Sequence, residues 1–337
     1  MARVFSGIKP TGRVTLGNYL GALSWWVRAQ AEDDCVYCVV DLHALTVPHD
    51  PAELRALSLE QATVLLAAGI DPERSILFLQ SHVSAHSELA WLMECTAGIG
   101  ELRRMTQFKE KSDHQEFVSA GLFTYPALMA ADILLYRSDV VPVGDDQRQH
   151  LELARDLAER FNHRYGPTLV VPEAGLPVVA ARVMDLQEPT RKMSKSEESP
   201  QGVILVLEDE SSISRKIRRA VTDTGTDVRF DPETKPGVSN LLAILGAATG
   251  EDPVALAGRY SRYGPLKADC ADAVVEMLRP VRARYAELAG DPGAVADILA
   301  EGAARASELA GATLAAAKEA VGLLPPGALR GGGRTGR

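Results

Sequence analysis

Arg191-Lys192-Met193-Ser194-Lys195-Ser196 places three cations and two hydroxyl groups within six residues, and Glu197, Glu198 and a Ser199-Pro200 break follow. The stretch has no apolar face that could hold it in a core, so we predict an exposed loop. Mobile ammonium groups and hydroxyl donors are the groups that bind a polyphosphate. A solvated linker between two domains is the alternative explanation for such a cluster.

The chain before this loop alternates predicted strands with predicted helices. Strands are predicted at residues 4–8, 36–42, 76–80 and 139–143, and helices at 16–27, 51–68, 88–96, 123–136 and from 147 to 161. The polar stretch 100–112 is predicted to be irregular. This alternation indicates a parallel sheet with crossover helices. Sites in such sheets lie at the carboxyl ends of strands, where segments 6–18 and 144–147 both fall.

The pattern changes after the loop, where no segment alternates with period two. Helical spacing is seen at residues 211–221, 239–249, 253–263, 267–288 and 294–321. We therefore expect an α/β chain with a parallel-sheet domain over 1–188, an α-helical domain over 189–290 that includes the loop, and a C-terminal helix within 291–330. The glycine-rich tail, 331–337, is expected to be disordered.

Length and charge set broad limits on the class of protein. A chain of 337 residues has room for a large core and two domains. The net charge of −9 argues against a surface covered in basic patches, although a local basic stripe remains compatible with a nucleic-acid ligand. No apolar run approaches the length of a membrane span and nothing resembles a signal peptide, so we expect a cytoplasmic protein without a membrane partner.

Cys35 and Cys38 have the spacing of a redox or metal pair, but they open an apolar run typical of a strand. Residues three apart on a strand point to opposite faces, so we predict two buried free thiols.

The segment Gly12–Gly17 has the glycine spacing of a P-loop. Asn18 and Tyr19 replace the Lys and Ser/Thr that would hold phosphates and Mg²⁺, so the P-loop assignment fails.

Several runs together resemble the bacterial tryptophanyl-tRNA synthetases, a class I family, over nearly the whole chain. Besides the Lys-Met-Ser-Lys-Ser motif, the matching runs are residues 5–8, 15–23, 105–111, 125–136, 141–147 and 235–242. The resemblance implies a Rossmann-like parallel-sheet catalytic domain and a helical domain that binds the tRNA anticodon. It also implies a homodimer with tRNA(Trp) bound across both subunits.

The implied reaction has two steps: L-tryptophan attacks the α-phosphate of MgATP to give tryptophanyl-adenylate, and the aminoacyl group then passes to tRNA. The attacking carboxylate is already an anion, so alignment and positive charge on the leaving pyrophosphate must supply the catalysis. The resemblance assigns this role to Lys111, Lys192 and Lys195, with Ser194 donating hydrogen bonds. It implies no protein metal site, since Mg²⁺ is held by the phosphates.

The ATP site is likewise assigned by the resemblance. Its expected residues are Lys9, Pro10, Thr11, Thr15, Gly17, Asn18, Gly144, Asp145, Asp146, Val183, Lys192, Met193, Ser194, Lys195 and Ser196. Gly17 would let adenine or ribose approach the backbone, which any Cβ would obstruct. Considered alone, Gly17 and Asn18 fit an ordinary turn and helix start, and Val183 fits a buried strand residue.

Asp132 stands in an apolar run, where an unpaired carboxylate would be costly to bury, and the resemblance implies that it decides substrate specificity. The resemblance makes it the acceptor for the indole N–H, which would reject substrates without that donor by roughly 10⁴–10⁵-fold. The alternative is a carboxylate satisfied by a neighbouring Arg or by the backbone. The other expected tryptophan-site residues are Phe5, Gly7, His43, Tyr125, Met129, Val143 and Gln147. His43 alone would also fit a core histidine with satisfied hydrogen bonds.

Position 9 departs from the resemblance, since the family usually carries Gln there and this chain has Lys9. A fixed cation beside the carboxylate and α-phosphate could exclude inhibitors that bond the amide. We hypothesise a form less sensitive to tryptophan-mimicking antibiotics. The hypothesis is wrong if Lys9→Gln leaves inhibition by such a compound unchanged.

One predicted helix carries a basic cluster, Arg215, Lys216, Arg218 and Arg219. These side chains could bind tRNA phosphates, although a solvated charged face explains them equally well.

Other activities also stay open at this point. They are a tyrosine-specific synthetase of the same subclass, a non-charging paralogue that senses tryptophan, and an adenylating ligase that uses no tRNA.

Overall fold

A computed structural model describes residues 1–112, 117–142, 144, 147–174, 182–193 and 200–326, without the side chains of 110–112 and 174. Its centre is a five-stranded sheet in the order β3-β2-β1-β4-β5. All neighbouring strands are parallel. The strands are β1 Arg3–Ile8, β2 Asp34–Val39, β3 Ile76–Leu79, β4 Val140–Val141 and β5 Glu173–Ala174. The predicted Rossmann-like α/β fold is confirmed.

Helices cover both faces of the sheet and form most of the C-terminal half. In chain order, α1 to α13 span Leu16–Asn18, Ser24–Ala29, Pro51–Ala67, Ala85–Thr96, Ile99–Arg104, Thr106–Ser112, Ala120–Leu135, Arg148–Tyr165, Glu210–Arg218, Pro236–Thr249, Pro253–Ala257, Tyr263–Ala289 and Pro292–Ala320. A π-helical turn, Tyr19–Leu23, joins α1 to α2, and 3₁₀ turns lie at Leu42–Thr46 and Gln80–His82. Within the described residues, no helix is both long and apolar enough to cross a membrane.

Alternate side chains of β2 enter different cores. Cys35 belongs to the apolar cluster on one face of the sheet, while Cys38 belongs to the cluster on the other. Both thiols are free and buried, as the strand period predicted. Burial raises the pKa of each thiol, so neither cysteine behaves as a reactive thiolate.

One of these cores runs beyond the sheet. The cluster that contains Cys35 also includes Val183, Ile204 and apolar residues of α10 and α12, so this face packs against the C-terminal helices. The last helix, α13, lies beside the edge strand β3 and reaches both cores: Val295 and Leu299 belong to the cluster that contains Cys35, and Ala303 and Ala306 belong to the other. A Cβ at Gly302 of α13 would lie 1.9 Å from the carbonyl oxygen of Leu77, so only glycine permits this approach.

Two local predictions were wrong. The stretch 100–112 is helical, as α5 and α6, because Glu101 accepts a hydrogen bond from the backbone N–H of Gly98 at 2.7 Å and caps α5. The helix predicted at 253–263 ends at Ala257, and α12 already begins at Tyr263. Pro265 falls in the first turn of α12, where its missing N–H leaves no hydrogen bond unmade.

Candidate active site

The site region is the carboxyl edge of the sheet between β1 and β4. The chain leaves β1 towards β2 on one side, and β4 adds to the opposite side, so the strand order reverses here. Ligands of open parallel sheets bind at such a reversal. Lys9, Pro10 and Thr11 follow β1 directly, and Gly144 and Gln147 follow β4. Val143, Asp145 and Asp146 lie outside the described residues.

The helix predicted after β1 begins with a capping box formed by Thr15 and Asn18. The backbone N–H of Asn18 donates to Thr15 Oγ1 at 3.2 Å, and Asn18 Oδ1 accepts from the N–H of Thr15 at 3.1 Å. Thr15 is fully buried and forms an antiparallel bridge with Leu205. The N–H of Leu16 donates to the carbonyl of Ile204 at 2.8 Å. The segment that follows the cationic loop is therefore paired with the first motif.

Gly17 brings the two motifs into contact. A Cβ at this position would lie 3.3 Å from the carbonyl oxygen of Met193 and 3.4 Å from its Cβ. The first distance is tight for a real side chain, so the absence of one lets the backbone of the cationic loop at Met193 rest on α1. Two of the three atoms nearest to that Cβ position belong to the second motif, and the third is Oγ1 of Thr15.

A short hairpin carries the start of the cationic loop. Met184 bridges Lys192, the N–H of Met193 donates to the carbonyl of Val183 at 3.0 Å, and the N–H of Asp185 donates to the carbonyl of Arg191 at 2.8 Å. Val183 and Met193 are buried, while Lys192 is exposed. Ser194, Lys195 and Ser196 lie outside the described residues. The backbone of Lys111 belongs to α6, and its side chain is not described.

Asp132 lies on α7 and is 2% exposed. Its Oδ2 is 2.7 Å from Nε2 of His43. Its Oδ1 accepts from Nε2 of Gln80 at 2.6 Å and is 2.6 Å from Nδ1 of His86. The partners are two histidines and an amide, so the alternative of a neighbouring Arg or the backbone was wrong.

Burial and the two histidines act on the charge of Asp132 in opposite directions. Burial alone would raise the pKa of the carboxyl group, but attraction to His43 and hydrogen bonds from His43 and His86 hold that pKa well below its usual range. An ionised carboxylate only accepts hydrogen bonds, so each ring nitrogen that faces it carries a hydrogen. The site therefore presents a buried anion at neutral pH.

The other expected tryptophan-site residues differ in burial. Phe5 and His43 are buried: Phe5 stacks on Tyr136 with 5.3 Å between ring centroids, and the His43 ring meets Tyr125 edge-on at 6.1 Å. The Tyr125 hydroxyl lies 2.8 Å from Nε2 of His150.

The remaining described residues of the expected tryptophan site are Met129, Gln147 and Gly7. Met129 of α7 and Gln147, which precedes α8, are both half-buried. A Cβ at Gly7 would lie 2.8 Å from Val40, so β1 requires glycine there.

Comparison with known proteins agrees with this geometry. The family model described as tRNA synthetases class I (W and Y) matches residues 1–279. The chain belongs to this family. A tryptophan–tRNA ligase 1 from Streptomyces coelicolor is 56% identical over 331 residues, covering 97% of this chain and 98% of the relative. The predicted resemblance to bacterial tryptophanyl-tRNA synthetases is confirmed, and the chain is a class I aminoacyl-tRNA ligase.

Two solved structures extend the comparison to the fold of this synthetase family. A tryptophanyl-tRNA synthetase from Mycoplasma pneumoniae is 37% identical with a TM-score of 0.90, covering 96% of this chain and 98% of that one. One from Campylobacter jejuni, complexed with ADP and tryptophan, is 34% identical with a TM-score of 0.81, covering 95% of this chain and 100% of that one.

Gln80, His86 and Tyr136 were missed by the sequence analysis of this synthetase. Gln80 directly follows β3, so its position at the carboxyl end of a strand could have marked it. His86 stands in α4 among residues of ordinary helical spacing and gave no signal. Tyr136 closes the run that resembles the family, but its hydroxyl faces His86 at 2.7 Å rather than solvent.

Lys216 was wrongly grouped with the cations that could bind tRNA phosphates. It is 7% exposed, and its Nζ donates to the carbonyl of Val203 at 2.7 Å and to Glu208 at 2.7 Å. Ile213 and Ile217 are buried on the same side of α9, and three-residue spacing from Ile213 places Lys216 there too. Arg215, Arg218 and Arg219 are exposed, as predicted.

Proposed function

We propose that this synthetase activates L-tryptophan with MgATP and transfers it to tRNA(Trp), with Asp132 as the residue that selects the amino acid. The supporting observation is the buried carboxylate of Asp132, 2% exposed, with three donors directed at it. A carboxylate has about four acceptor positions. The indole N–H fits the remaining one, and a side chain without that donor would leave it unmet.

Activation requires one bond to form and one to break. A carboxylate oxygen of tryptophan attacks the α-phosphorus of ATP, and the bond to the bridging oxygen breaks as pyrophosphate leaves with Mg²⁺. Lys192 stands on the hairpin beside the first motif and would neutralise charge on the phosphates. Lys111, Lys195 and Ser194 are proposed to complete this set. In the second step a ribose hydroxyl of tRNA attacks the carbonyl of the adenylate, and AMP leaves.

The remaining ATP contacts are proposed to come from the two strand ends and the hairpin. The segment Lys9, Pro10 and Thr11 follows β1 at the carboxyl edge of the sheet and would contact the phosphates there, beside Gly17 of α1. Gly144, Asp145 and Asp146 would contact the ribose, and Val183 the adenine. Both ATP and tRNA are present where translation takes place, so the enzyme is expected in the cytoplasm.

The tRNA is proposed to bind to the helices after the cationic loop, within residues 189–290. Arg215, Arg218 and Arg219 are exposed on or beside α9 and provide positive charge there. Phosphate contacts of this kind weaken with salt because bound counterions are released on association. The sheet-containing part, residues 1–188, would hold the amino acid and ATP.

The enzyme is further proposed to be a homodimer that pairs through an apolar groove on the sheet-containing part. The groove, about 310 Å³, lies between the 3₁₀ turn Leu42–Thr46, α4 and α7. Trp91, which lines it, is 65% exposed, and Leu45 is exposed beside it. A second copy would cover both side chains. Trp91→Asp should shift the protein to monomers in sedimentation, and an unchanged dimer would exclude this face.

The test of function is charging of tRNA with each of the twenty amino acids, together with pyrophosphate exchange driven by tryptophan or by tyrosine. Tryptophan should be the substrate in both assays. Asp132→Asn should lower kcat/KM for tryptophan by roughly 10- to 150-fold, as expected when a hydrogen bond to a charged group is lost. Asp34→Asn, at the amino end of β2 and bonded to Arg3, is the control and should leave kcat/KM unchanged. Exchange with tyrosine, or with neither amino acid, would refute the proposal.

A further inference from the structure

Asn240 of α10 binds both backbone groups of Met184. Its Oδ1 accepts from the N–H of Met184 at 2.9 Å, and its Nδ2 donates to the carbonyl of the same residue at 2.9 Å. Asn240 is 4% exposed, so water does not compete for these bonds. A side-chain amide carries the same donor and acceptor as a peptide group, and Asn240 here takes the place of a neighbouring strand.

The bonded residue is the middle of the hairpin that carries Lys192. Met184 and Lys192 lie opposite each other in the hairpin. The cross-strand hydrogen bonds are made by the residues on either side of them, Val183 with Met193 and Asp185 with Arg191. The N–H and carbonyl of Met184 therefore point away from Lys192, towards α10. Asn240 thus fixes the hairpin strand that contains Met184, and the opposite strand of the hairpin carries Lys192 and the start of the cationic loop.

The far end of the cationic loop is attached to the same short segment. The N–H of Leu186 donates to the carbonyl of Gly202 at 2.9 Å. A Cβ at Gly202 would lie 2.0 Å from the Asp185 carboxylate, so the backbone lies directly against that side chain. Both ends of the loop, Met193 and Gly202, are therefore bonded to residues 183–186, and Asn240 connects that segment to α10.

The start of α10 is itself firmly held. Lys235, its N-terminal flanking residue, places Nζ 3.0 Å from Asp223, 3.0 Å from Asp227 and 2.9 Å from the hydroxyl of Tyr263. Because Tyr263 begins α12, this cluster joins α10 to a second helix of the C-terminal half. A displacement of these helices would therefore move Met184 with them instead of being absorbed by a loose helix end.

We infer that Asn240 is a positioning residue for the ATP-dependent step, through which the C-terminal helices set the place of the Lys192 hairpin. This inference rests on the proposed function, because it takes Lys192 to act on the phosphates of ATP. It assigns Asn240 no contact with either substrate. Its substitution should therefore affect ATP and not tryptophan.

The experiment measures tryptophan-dependent pyrophosphate exchange with Asn240→Asp and Asn240→Ala. Asn240→Asp keeps the shape and the acceptor for the N–H of Met184, but cannot donate to its carbonyl. We expect KM for ATP to rise, or kcat to fall, by roughly tenfold, the effect of one lost hydrogen bond and the buried group it leaves unmet. KM for tryptophan should stay within twofold of wild type.

Ser239→Ala is the matched control on the same helix. Ser239 is 3% exposed, and its Oγ accepts from the N–H of Asp231 at 2.8 Å, so it also holds a backbone group but not that of Met184. It should lower the melting temperature and leave both KM values unchanged. Tryptophan binding without ATP reports folding of every variant, and if Asn240→Ala does not fold, the isosteric Asn240→Asp decides.

Two results would overturn the inference: unchanged ATP kinetics in both Asn240 variants, or an equal rise in the KM values for ATP and tryptophan. Failure of the proposed function looks different, because the wild-type enzyme would then show no tryptophan-dependent exchange at all.

Discussion

The hydroxyl oxygen of Tyr136 lies 2.7 Å from Nε2 of His86, on the side of the imidazole ring that faces away from Asp132. Burial raises the pKa of Tyr136, so the phenol keeps its hydrogen and can donate it to Nε2 of His86 in the tautomer that leaves this nitrogen bare. With Nε2 accepting, Nδ1 of His86 carries the ring hydrogen and donates to Asp132. The order of donors thus runs from Tyr136 through His86 to the carboxylate that is proposed to select tryptophan.

Tyr136→Phe should weaken the selection of tryptophan, because His86 would lose the hydrogen bond that fixes its tautomer. We expect the ratio of kcat/KM for tryptophan to that for an analogue with sulfur in place of the indole N–H to fall by roughly 5- to 10-fold, about 1 kcal/mol. Pyrophosphate exchange with the two amino acids measures this ratio.

Tyr37→Phe is the matched control for that variant. Tyr37 is equally buried, and its hydroxyl donates to the carbonyl of Trp26 at 2.8 Å, but it lies on the other face of the sheet. This variant should lose stability and keep the wild-type ratio. An equal change of the ratio in both variants would show that His86 has no special part in specificity.

Gly17→Ala should weaken ATP binding by displacing the backbone of the cationic loop at Met193. The new Cβ would lie 3.3 Å from the carbonyl oxygen of Met193, and relief of this contact must shift one of the two motifs. We expect KM for ATP to rise roughly fivefold, about 1 kcal/mol, with KM for tryptophan unchanged. Gly21→Ala is the control, since no atom lies within 4 Å of a Cβ there and the substitution should leave both constants unchanged.

Lys216→Met should destabilise the fold without altering how tRNA binding depends on salt. It removes the ammonium group that donates to Glu208 and to the carbonyl of Val203, so the free energy of unfolding in urea should fall by about 1–3 kcal/mol. Arg218→Ala, at an exposed position, should leave stability within about 0.5 kcal/mol of wild type. If it contacts a phosphate, it should reduce the slope of log affinity against log salt by about one. A smaller slope for Lys216→Met would contradict the buried assignment.

The depressed pKa of Asp132 predicts how stability changes in acid. A carboxylate whose pKa is lowered by folding contributes its full stability above the unfolded-state value, about 3.9, and loses it as the pH falls through the lower folded-state value. The difference in unfolding free energy between wild type and Asp132→Asn should therefore shrink as the pH falls below about 4. Urea unfolding across that range measures it, and a constant difference would mean that Asp132 is not held as an anion.

Local patterns in the chain were sufficient for the alternation of strands and helices and for the helical second half, whereas the parallel sheet was expected mainly from the family resemblance. Strand alternation at residues 35–38 correctly separated the two thiols, because side-chain direction in a strand depends on the backbone alone. The stretch 100–112 was misjudged because its helices are stabilised by a cap and by tertiary packing more than by an apolar stripe.

The sequence by itself determined the family and marked the two motifs and Asp132 as candidate site residues, since these depend on residue types at fixed spacing. Only the tertiary structure decided what surrounds them. His86 and Gln80 lie 46 and 52 residues from Asp132 along the chain, and Asn240 lies 56 residues from Met184. A hydrogen bond needs its partners within about 3 Å, and which distant residues come that close is fixed by how the helices pack on the sheet.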